Sequence, residues 1–311
     1  MKQGLKDYGA MAAGLFIVLC FCLLSPDKFC TLDNFINISR QISLLVIISM
    51  GATLVMIVDE FDLSIGAIAS LGGVLAALLA VRGQPLAVCF LLPLAAGFLI
   101  GLLNGLIVTH FGVLSFISTL AMNTIFTGVI YRLTGGGAIF QGIPQSFGLL
   151  GNGSVGRLPY LTIVMLALTV LLWLAMTRLV SGRRLYAIGG NRQAAKLSGI
   201  PIKRCTCLAF GFCALLAAGC GVLLASRLGS AQPTAGEGYF LQAYAAVFLG
   251  RTVFKGGVPN IWGTFIGAAI LGVISNGLTI MKSPSYAQDM ITGVIIILAV
   301  IVQKAGEKGA A

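Results

Sequence analysis

The chain has 311 residues, of which 58% are hydrophobic and only 9% are charged. Soluble domains carry about 25% charged residues, so this composition excludes a soluble fold and indicates a protein that crosses a membrane many times. The formal net charge is +11, but the basic residues lie between apolar segments, as orientation signals do. We therefore expect membrane lipid as the surrounding medium and no nucleic-acid partner.

The residues that usually build metal or catalytic centres are scarce or badly spaced. His110 is the single histidine, and Cys205-x-Cys207 does not have the spacing of a zinc site. Most of the eight cysteines lie inside apolar runs, where a thiol behaves as a small hydrophobe. We expect no metal, no cofactor and no enzymatic activity of the chain's own.

The apolar segments predict an all-α polytopic membrane protein, a single transmembrane domain over residues 1–311, because a span needs about 20 residues. Ser25-Pro26-Asp27 does not resemble a cleavage site, so we expect the first apolar stretch to be a span and not a removed signal. A Gly-rich loop at 134–158 is expected outside the membrane. We predict about ten spans, some short or broken: 8–24, 40–58, 63–81, 85–109, 112–133, 159–179, 203–226, the short segment 241–254, 259–281 and 287–303.

An acidic cluster precedes the third predicted span. Asp59, Glu60 and Asp62 stand next to an apolar run, although a charge at the bilayer centre costs about 2.5–3.5 kcal/mol on insertion scales. These carboxylates must therefore lie near an interface, in a wet cavity or in a paired state. Asp62 in Asp62-Leu63-Ser64-Ile65-Gly66 is also typical of a helix cap. Contact with a transported solute, gating and subunit contact remain alternatives.

The longest polar island of the chain follows the sixth predicted span. Residues 178–204 carry seven Lys/Arg and no Asp or Glu, which favours the cytoplasmic side and places both termini there. Asn191 can cap a short helix that starts at Arg192, Gly199 suits the left-handed position after its end, and Pro201 prevents its continuation. The pattern indicates a rigid surface helix that another protein binds. The alternative is a basic loop that only fixes the orientation of the chain in the membrane.

This island resembles the coupling-helix motif of ABC importer permeases, and most of all the ribose/galactose-type monosaccharide branch. The residues that carry the resemblance are Gly182-Arg183, Tyr186-Ala187-Ile188-Gly189-Gly190-Asn191, Ala194-Ala195 and Ser198-Gly199-Ile200, joined farther on by Ala245-Ala246-Val247-Phe248-Leu249-Gly250 and Asn276-Gly277-Leu278. It implies that residues 182–200 dock into a cytoplasmic ATPase. The coupling residues would be Arg183, Tyr186, Gly189, Gly190, Asn191, Ala194, Ala195, Lys196, Gly199 and Ile200.

Two halves of the chain repeat the same order of features. Asn104-Gly105-Leu106 in the first half matches Asn276-Gly277-Leu278 in the second, and each follows a Gly-x-x-x-Gly motif, at Gly97 and at Gly263. An offset of five spans makes the second copy run opposite to the first, so spans 2–5 and 7–10 are predicted to form two inverted repeats. The glycines are expected to serve helix packing.

Polar residues within the spans are the candidates for a translocation path. They can hold helices together or offer weak hydrogen bonds to a passing solute. The candidates are Asp62, Ser64, Asn104, Asn123, Gln242 and Asn276.

The sequence contains no Gly-x-x-x-x-Gly-Lys-[Ser/Thr] phosphate loop, so ATP hydrolysis would belong to a partner. The resemblance implies a permease subunit in the bacterial inner membrane that passes a ribose-type sugar or related small polar solute. Its implied partners are cytoplasmic ABC ATPase subunits, a periplasmic sugar-binding protein, and a second permease subunit that completes a homodimer or a heterodimer with a paralogue. A branched-chain amino acid permease and an ion-coupled secondary transporter are the alternatives.

Overall fold

Helices make up most of the described structure. The computed structural model describes residues 9–253, 257–284 and 286–297, apart from residues 289, 292 and 296. A 3-10 turn at Gln145–Gly148 and a small hairpin, β1 Ser154–Val155 with β2 Leu158–Pro159, occupy the predicted Gly-rich loop. The described helices are α1 Gly9–Leu24, α2 Pro26–Phe29, α3 Leu32–Ile57, α4 Ile65–Val81, α5 Leu86–His110, α6 Ser115–Thr134, α7 Leu149–Asn152, α8 Tyr160–Arg178, α9 Val180–Gly190, α10 Arg192–Leu197, α11 Ile202–Leu228, α12 Glu237–Arg251 and α13 Ile261–Ile280.

Six of the described helices are long and apolar enough to cross a membrane, namely α3, α5, α6, α8, α11 and α13. The apolar part of α1, Gly14–Leu24, and the whole of α4 are shorter than a regular span. The chain is therefore an all-α, multi-pass membrane protein, as predicted. The predicted last span, 287–303, lies partly outside the described residues.

Two predicted boundaries are wrong, while the other predicted spans up to residue 281 begin and end within three residues of a helix. Helix α3 begins at Leu32 and not at residue 40, because the Thr31 side chain accepts a hydrogen bond from the Asn34 N–H at 3.2 Å. Helix α12 begins at Glu237 and not at residue 241. An acidic residue in the first turn is favoured by the helix dipole, and this outweighs the polar, Gly-containing sequence there.

Helices α3 and α11 form the centre of the bundle. In the most apolar 18-residue stretch of each helix, 89% of α3 and 67% of α11 are buried, whereas only 22–28% of α5, α6 and α8 are buried. Helix α11 packs on α3, α4 and α5, and α3 packs in turn on α12 and α13. The two central helices cross closely, since a Cβ atom at Gly51 would lie 2.8 Å from the carbonyl oxygen of Cys213.

The two Gly-x-x-x-Gly motifs serve packing, as predicted. Cβ atoms at Gly97 and Gly101 would collide with α11, and Cβ atoms at Gly263 and Gly267 would collide with α12. Each motif thus lets the backbones of two helices approach closely.

The bundle has two distinct ends, the basic end and the hairpin end. The basic end holds residues 178–204, the end of α3 and the start of α13. The hairpin end holds β1 and β2, from which α8 leads across the bundle to Arg178 at the basic end.

Candidate coupling site

The island at the basic end folds into two short helices, α9 and α10, that meet at Asn191. The Asn191 side chain accepts a hydrogen bond from the Ala194 N–H at 2.9 Å, and Gly199 has a φ of +75° after the end of α10. The cap and the glycine terminator expected from the sequence are both present. Helix α9 was not expected, because its three glycines are poor helix formers and its stability comes from packing on the bundle.

The two helices have a buried face and an exposed face. Leu185, Ile188 and Ala195 point into the bundle and are at most 9% exposed, whereas Leu197 is 90% exposed. Of the ten predicted coupling residues, Ala195 is buried and Tyr186 and Ile200 are partly buried. The other seven are exposed: Arg183, Gly189, Gly190, Asn191, Ala194, Lys196 and Gly199. The exposed face is therefore free to contact another protein, while Ala195 seats α10 on the bundle.

Three contacts tie α9 and α10 to the membrane helices. The Tyr186 hydroxyl donates a hydrogen bond to the carbonyl oxygen of Pro259 at 3.2 Å. Burial raises the pKa of the Tyr186 phenol, so it remains a protonated donor. A Cβ atom at Gly189 would collide with the carbonyl oxygen of Ile57, the last residue of α3. The Arg192 guanidinium forms an ion pair with Glu60 at 2.9 Å.

Glu60 belongs to the loop at residues 58–64, which joins α3 to α4 and is called the acidic loop below. Side chains of other helices bind its backbone. The N–H groups of Phe61 and Leu63 donate to hydroxyls of Ser115 and Thr119 on α6, at 3.3 and 2.9 Å. The acidic loop is thus attached to α6 as well as to α10.

Tyr244 on α12 fixes the centre of the acidic loop. Its hydroxyl accepts a hydrogen bond from the Asp62 N–H at 2.7 Å and donates one to the Asp62 carbonyl oxygen at 3.1 Å. Asp59 has a φ of +61°, a conformation that is uncommon for a residue other than glycine. The two hydrogen bonds hold the acidic loop in a tight turn and attach it, just before the start of α4, to α12.

The Asp62 carboxylate lies in a fully buried polar cluster. Its Oδ1 accepts hydrogen bonds from the backbone N–H of Ser64 at 2.9 Å and from the Ser64 hydroxyl. The Asn104 side chain on α5 donates to the same hydroxyl at 2.8 Å. Asp62 Oδ2 and Asn104 Oδ1 have no hydrogen-bond partner within the described structure. The prediction that Asp62 caps a helix is wrong, because α4 begins at Ile65 and Asp62 stabilises the preceding turn instead.

The other predicted path residues lie apart from this cluster. Asn276 is 9% exposed, and its side-chain oxygen accepts a hydrogen bond from Asn34 at 3.1 Å, which joins α13 to the start of α3. Asn123 is half-buried on α6. Gln242 lines a cavity between α3, α12 and α13. The structure therefore brings together Asp62, Ser64 and Asn104 but not the remaining three.

A cavity of about 310 Å³ separates α9 from the acidic loop. Asp59 and Glu60 line one side of it, and Tyr186 and Gly190 line the other. Arg251 also contributes, and its guanidinium donates to the carbonyl oxygen of Gly257 at 2.6 Å. The interface between the two short helices and the bundle thus combines the buried side chains of Leu185, Ile188 and Ala195 with a few polar contacts around an open space.

Comparison with known proteins identifies the family. Residues 34–300 match the family model described as branched-chain amino acid transport system / permease component. The chain belongs to this family of ABC importer permeases. The permease is 37% identical to the ribose import permease protein of Escherichia coli strain K12 over 304 residues, which cover 97% of this chain and 94% of the relative. No solved structure was found to match it.

Two further relatives have the same character. The ribose import permease protein of Bacillus subtilis strain 168 is 38% identical, with 94% of this chain and 91% of the relative covered. The D-allose transport system permease protein of E. coli K12 is 36% identical, with 96% and 91% covered. The permease is accordingly a transport component of a multi-pass inner-membrane importer and not its ATPase.

Proposed function

We propose that the chain is the membrane-spanning subunit of an ATP-driven importer that carries a monosaccharide. The observation that carries this proposal is the capped, exposed helix α10, which an importer needs in order to receive movement from a separate ATPase. The substrate class follows the full-length relatives, which are named for ribose and D-allose. The amino acid alternative has only the general description of the family in its favour. An ion-coupled carrier gives no reason for such a helix.

The contacts at the basic end supply a route for movement. An ATPase that grips the exposed face of residues 182–200 would shift α9 and α10 together. The Arg192–Glu60 ion pair and the contact of Gly189 with Ile57 would pass this shift to the acidic loop and α3. Because the acidic loop is bonded to Ser115, Thr119 and Tyr244, the shift would reach α6 and α12 as well.

The inverted repeat predicted from the sequence is part of this proposal. Helices α3 and α11 would be equivalent, and each packs on the other and on the second and third helices of the opposite half. The second helices, α4 and α12, are both short, with 17 and 15 residues. The matched asparagines Asn104 and Asn276 are both buried and hydrogen-bonded. Such symmetry lets a bundle open alternately to the two sides of a membrane.

The remaining parts of the proposal concern orientation and assembly. The basic end would face the cytoplasm, since it carries the Lys/Arg cluster that favours this side. Both termini would lie on the same side. A periplasmic sugar-binding protein would deliver the solute at the hairpin end, and a second permease subunit, identical or paralogous, would complete the path.

Reconstitution in proteoliposomes tests the function. We expect uptake of a labelled monosaccharide only when ATP, the cognate ATPase and the binding protein are all present. A Gly190→Trp variant should still hydrolyse ATP but take up less sugar, because Gly190 is exposed on the docking face. Uptake by the permease alone, driven by a proton or sodium gradient, would contradict the proposal.

A further inference from the structure

A second cavity of about 310 Å³ lies at the start of α12, between α3 and α13. Five of its lining residues are polar but uncharged, and the other described lining residues are apolar or glycine. No Asp, Glu, Lys or Arg is among the described residues that line it. The polar residues are Gln41, Tyr239, Gln242, Ser275 and Gln288.

The cavity lies within the depth of the membrane. Gln41 is nine residues after the start of α3, and Ser275 is five residues before the end of α13. With a rise of 1.5 Å per residue, these positions are about 14 Å and about 8 Å from the ends of their helices. Helix α12 begins at this depth, at Glu237, so the cavity is located where a helix begins inside the bundle.

The amides in the cavity differ in how they are used. Gln288 is held by its neighbours, since its Oε1 accepts from the Ser275 hydroxyl at 3.1 Å and its Nε2 donates to Thr279 at 3.3 Å. Within the described part of the chain, the side chains of Gln41 and Gln242 make no hydrogen bond, and both are half-buried. Their donors and acceptors are therefore available to a molecule in the cavity.

A free amide facing lipid at this depth would be costly, because hydrocarbon offers it no hydrogen-bond partner. The surfaces suited to lipid are elsewhere, on α5 and α6, where Leu91, Leu99 and Leu120 are 46–65% exposed. The face with Gln41 and Gln242 is therefore suited to water or a polar solute, as the wall of an aqueous path would be.

The chemistry of the wall selects the solute. An amide both donates and accepts hydrogen bonds, as each hydroxyl of a sugar does. A zwitterionic amino acid would have to leave its two charges without charged partners here, which is unfavourable within a membrane. The cavity volume is at the lower end of the range for small-molecule sites and suits a single monosaccharide.

We infer that Gln41 and Gln242 form a transit site, in which the side-chain amides hydrogen-bond a neutral polyhydroxylated solute as it crosses the membrane. The inference rests on the proposed import function and assigns the path to the α3–α12–α13 face. Few direct bonds are compatible with transit, since a site that held the solute tightly would retain it.

The test is ATP-driven uptake of two epimeric neutral sugars by the reconstituted importer carrying Gln41→Leu or Gln242→Leu. Each variant should lower the initial rate about fivefold, the value of one lost hydrogen bond, and should change the ratio between the two sugars. Because neither glutamine bonds within the described structure, ATP hydrolysis stimulated by the binding protein should persist. Gln242→Asn, which keeps a displaced amide, should alter the ratio while retaining most of the rate.

Thr127→Val is the matched control, because it removes a half-buried polar group on α6, away from this cavity, whose hydroxyl donates to the Asn123 carbonyl oxygen of its own helix at 2.8 Å. It should leave rate and ratio unchanged. Loss of uptake in this variant alone would place the path along α6 and overturn the inference. So would unchanged uptake in both glutamine variants, or an equal loss for both sugars with loss of stimulated ATP hydrolysis. If the wild-type importer moves no sugar at all, the proposed function fails, and the inference fails with it.

Discussion

Two adjacent glycines in the last turn of α9 provide a controlled test of how this helix is seated. A Cβ atom at Gly189 would collide with the carbonyl oxygen of Ile57, whereas a Cβ atom at Gly190 would meet nothing within 4 Å. Neither glycine has a positive φ, so alanine is compatible with both backbone conformations. Gly189→Ala and Gly190→Ala therefore add the same methyl group and differ in the space available for it.

The expected difference follows from that space. A backbone oxygen cannot rotate away, so Gly189→Ala must displace α9 from the end of α3, and overpacking of this kind costs about 1–3 kcal/mol. Both variants gain up to about 1 kcal/mol of helix propensity, and this gain cancels in the comparison. Gly189→Ala should thus be less stable than Gly190→Ala by about 1–3 kcal/mol.

Thermal unfolding of the purified permease in detergent, without its partners, measures this difference directly. With an unfolding entropy of about 2.1 cal/mol/K per residue, 1 kcal/mol shifts the Tm of a 311-residue chain by about 1.5 °C, so the two midpoints should differ by about 1.5–5 °C. Equal midpoints, or a lower midpoint for Gly190→Ala, would refute the close seating of α9 on α3.

Two further predictions concern the acidic loop. Glu60→Arg should raise the number of ATP molecules hydrolysed per sugar about twofold to fivefold, which corresponds to the free energy of a partly exposed ion pair. Arg192→Glu in the same chain should restore coupling. If the double variant is not rescued, the ion pair has no role in coupling. Asp62→Asn should leave the midpoint of thermal unfolding within about 2 °C of wild type, because the amide keeps the acceptor for Ser64 and remains a polar group in the cluster. Asp62→Leu should unfold several degrees lower, and equal stability of these two variants would count against the buried cluster.

The features that sequence alone predicted are those with a local cause. The membrane class follows from composition, and most helix boundaries follow from runs of apolar residues. The cap at Asn191 and the terminator at Gly199 were also predictable, because each acts within four residues of its own position. Such features need no knowledge of distant contacts.

The features that were missed depend on residues far apart in the chain. Helix α9 is stabilised by burial of Leu185 and Ile188, and this burial could not be predicted from the local sequence. The Arg192–Glu60 pair joins residues 132 positions apart. Asp62 looked like a helix cap because it precedes an apolar run, but the hydroxyl of Tyr244 holds it in a turn instead. Only the tertiary structure could assign these residues to one connected region.

The central claim is that a cytoplasmic ATPase binds the exposed face of residues 182–200 and moves it. A photo-crosslinking residue at Leu197, which is 90% exposed, should capture that ATPase in intact cells with the importer assembled. The same residue at Val155 in the hairpin, which is 61% exposed, should not. Capture at Leu197 alone is the result predicted. Two results would contradict the account: labelling of position 197 from outside the cell, or no crosslink between position 197 and the ATPase while uptake continues.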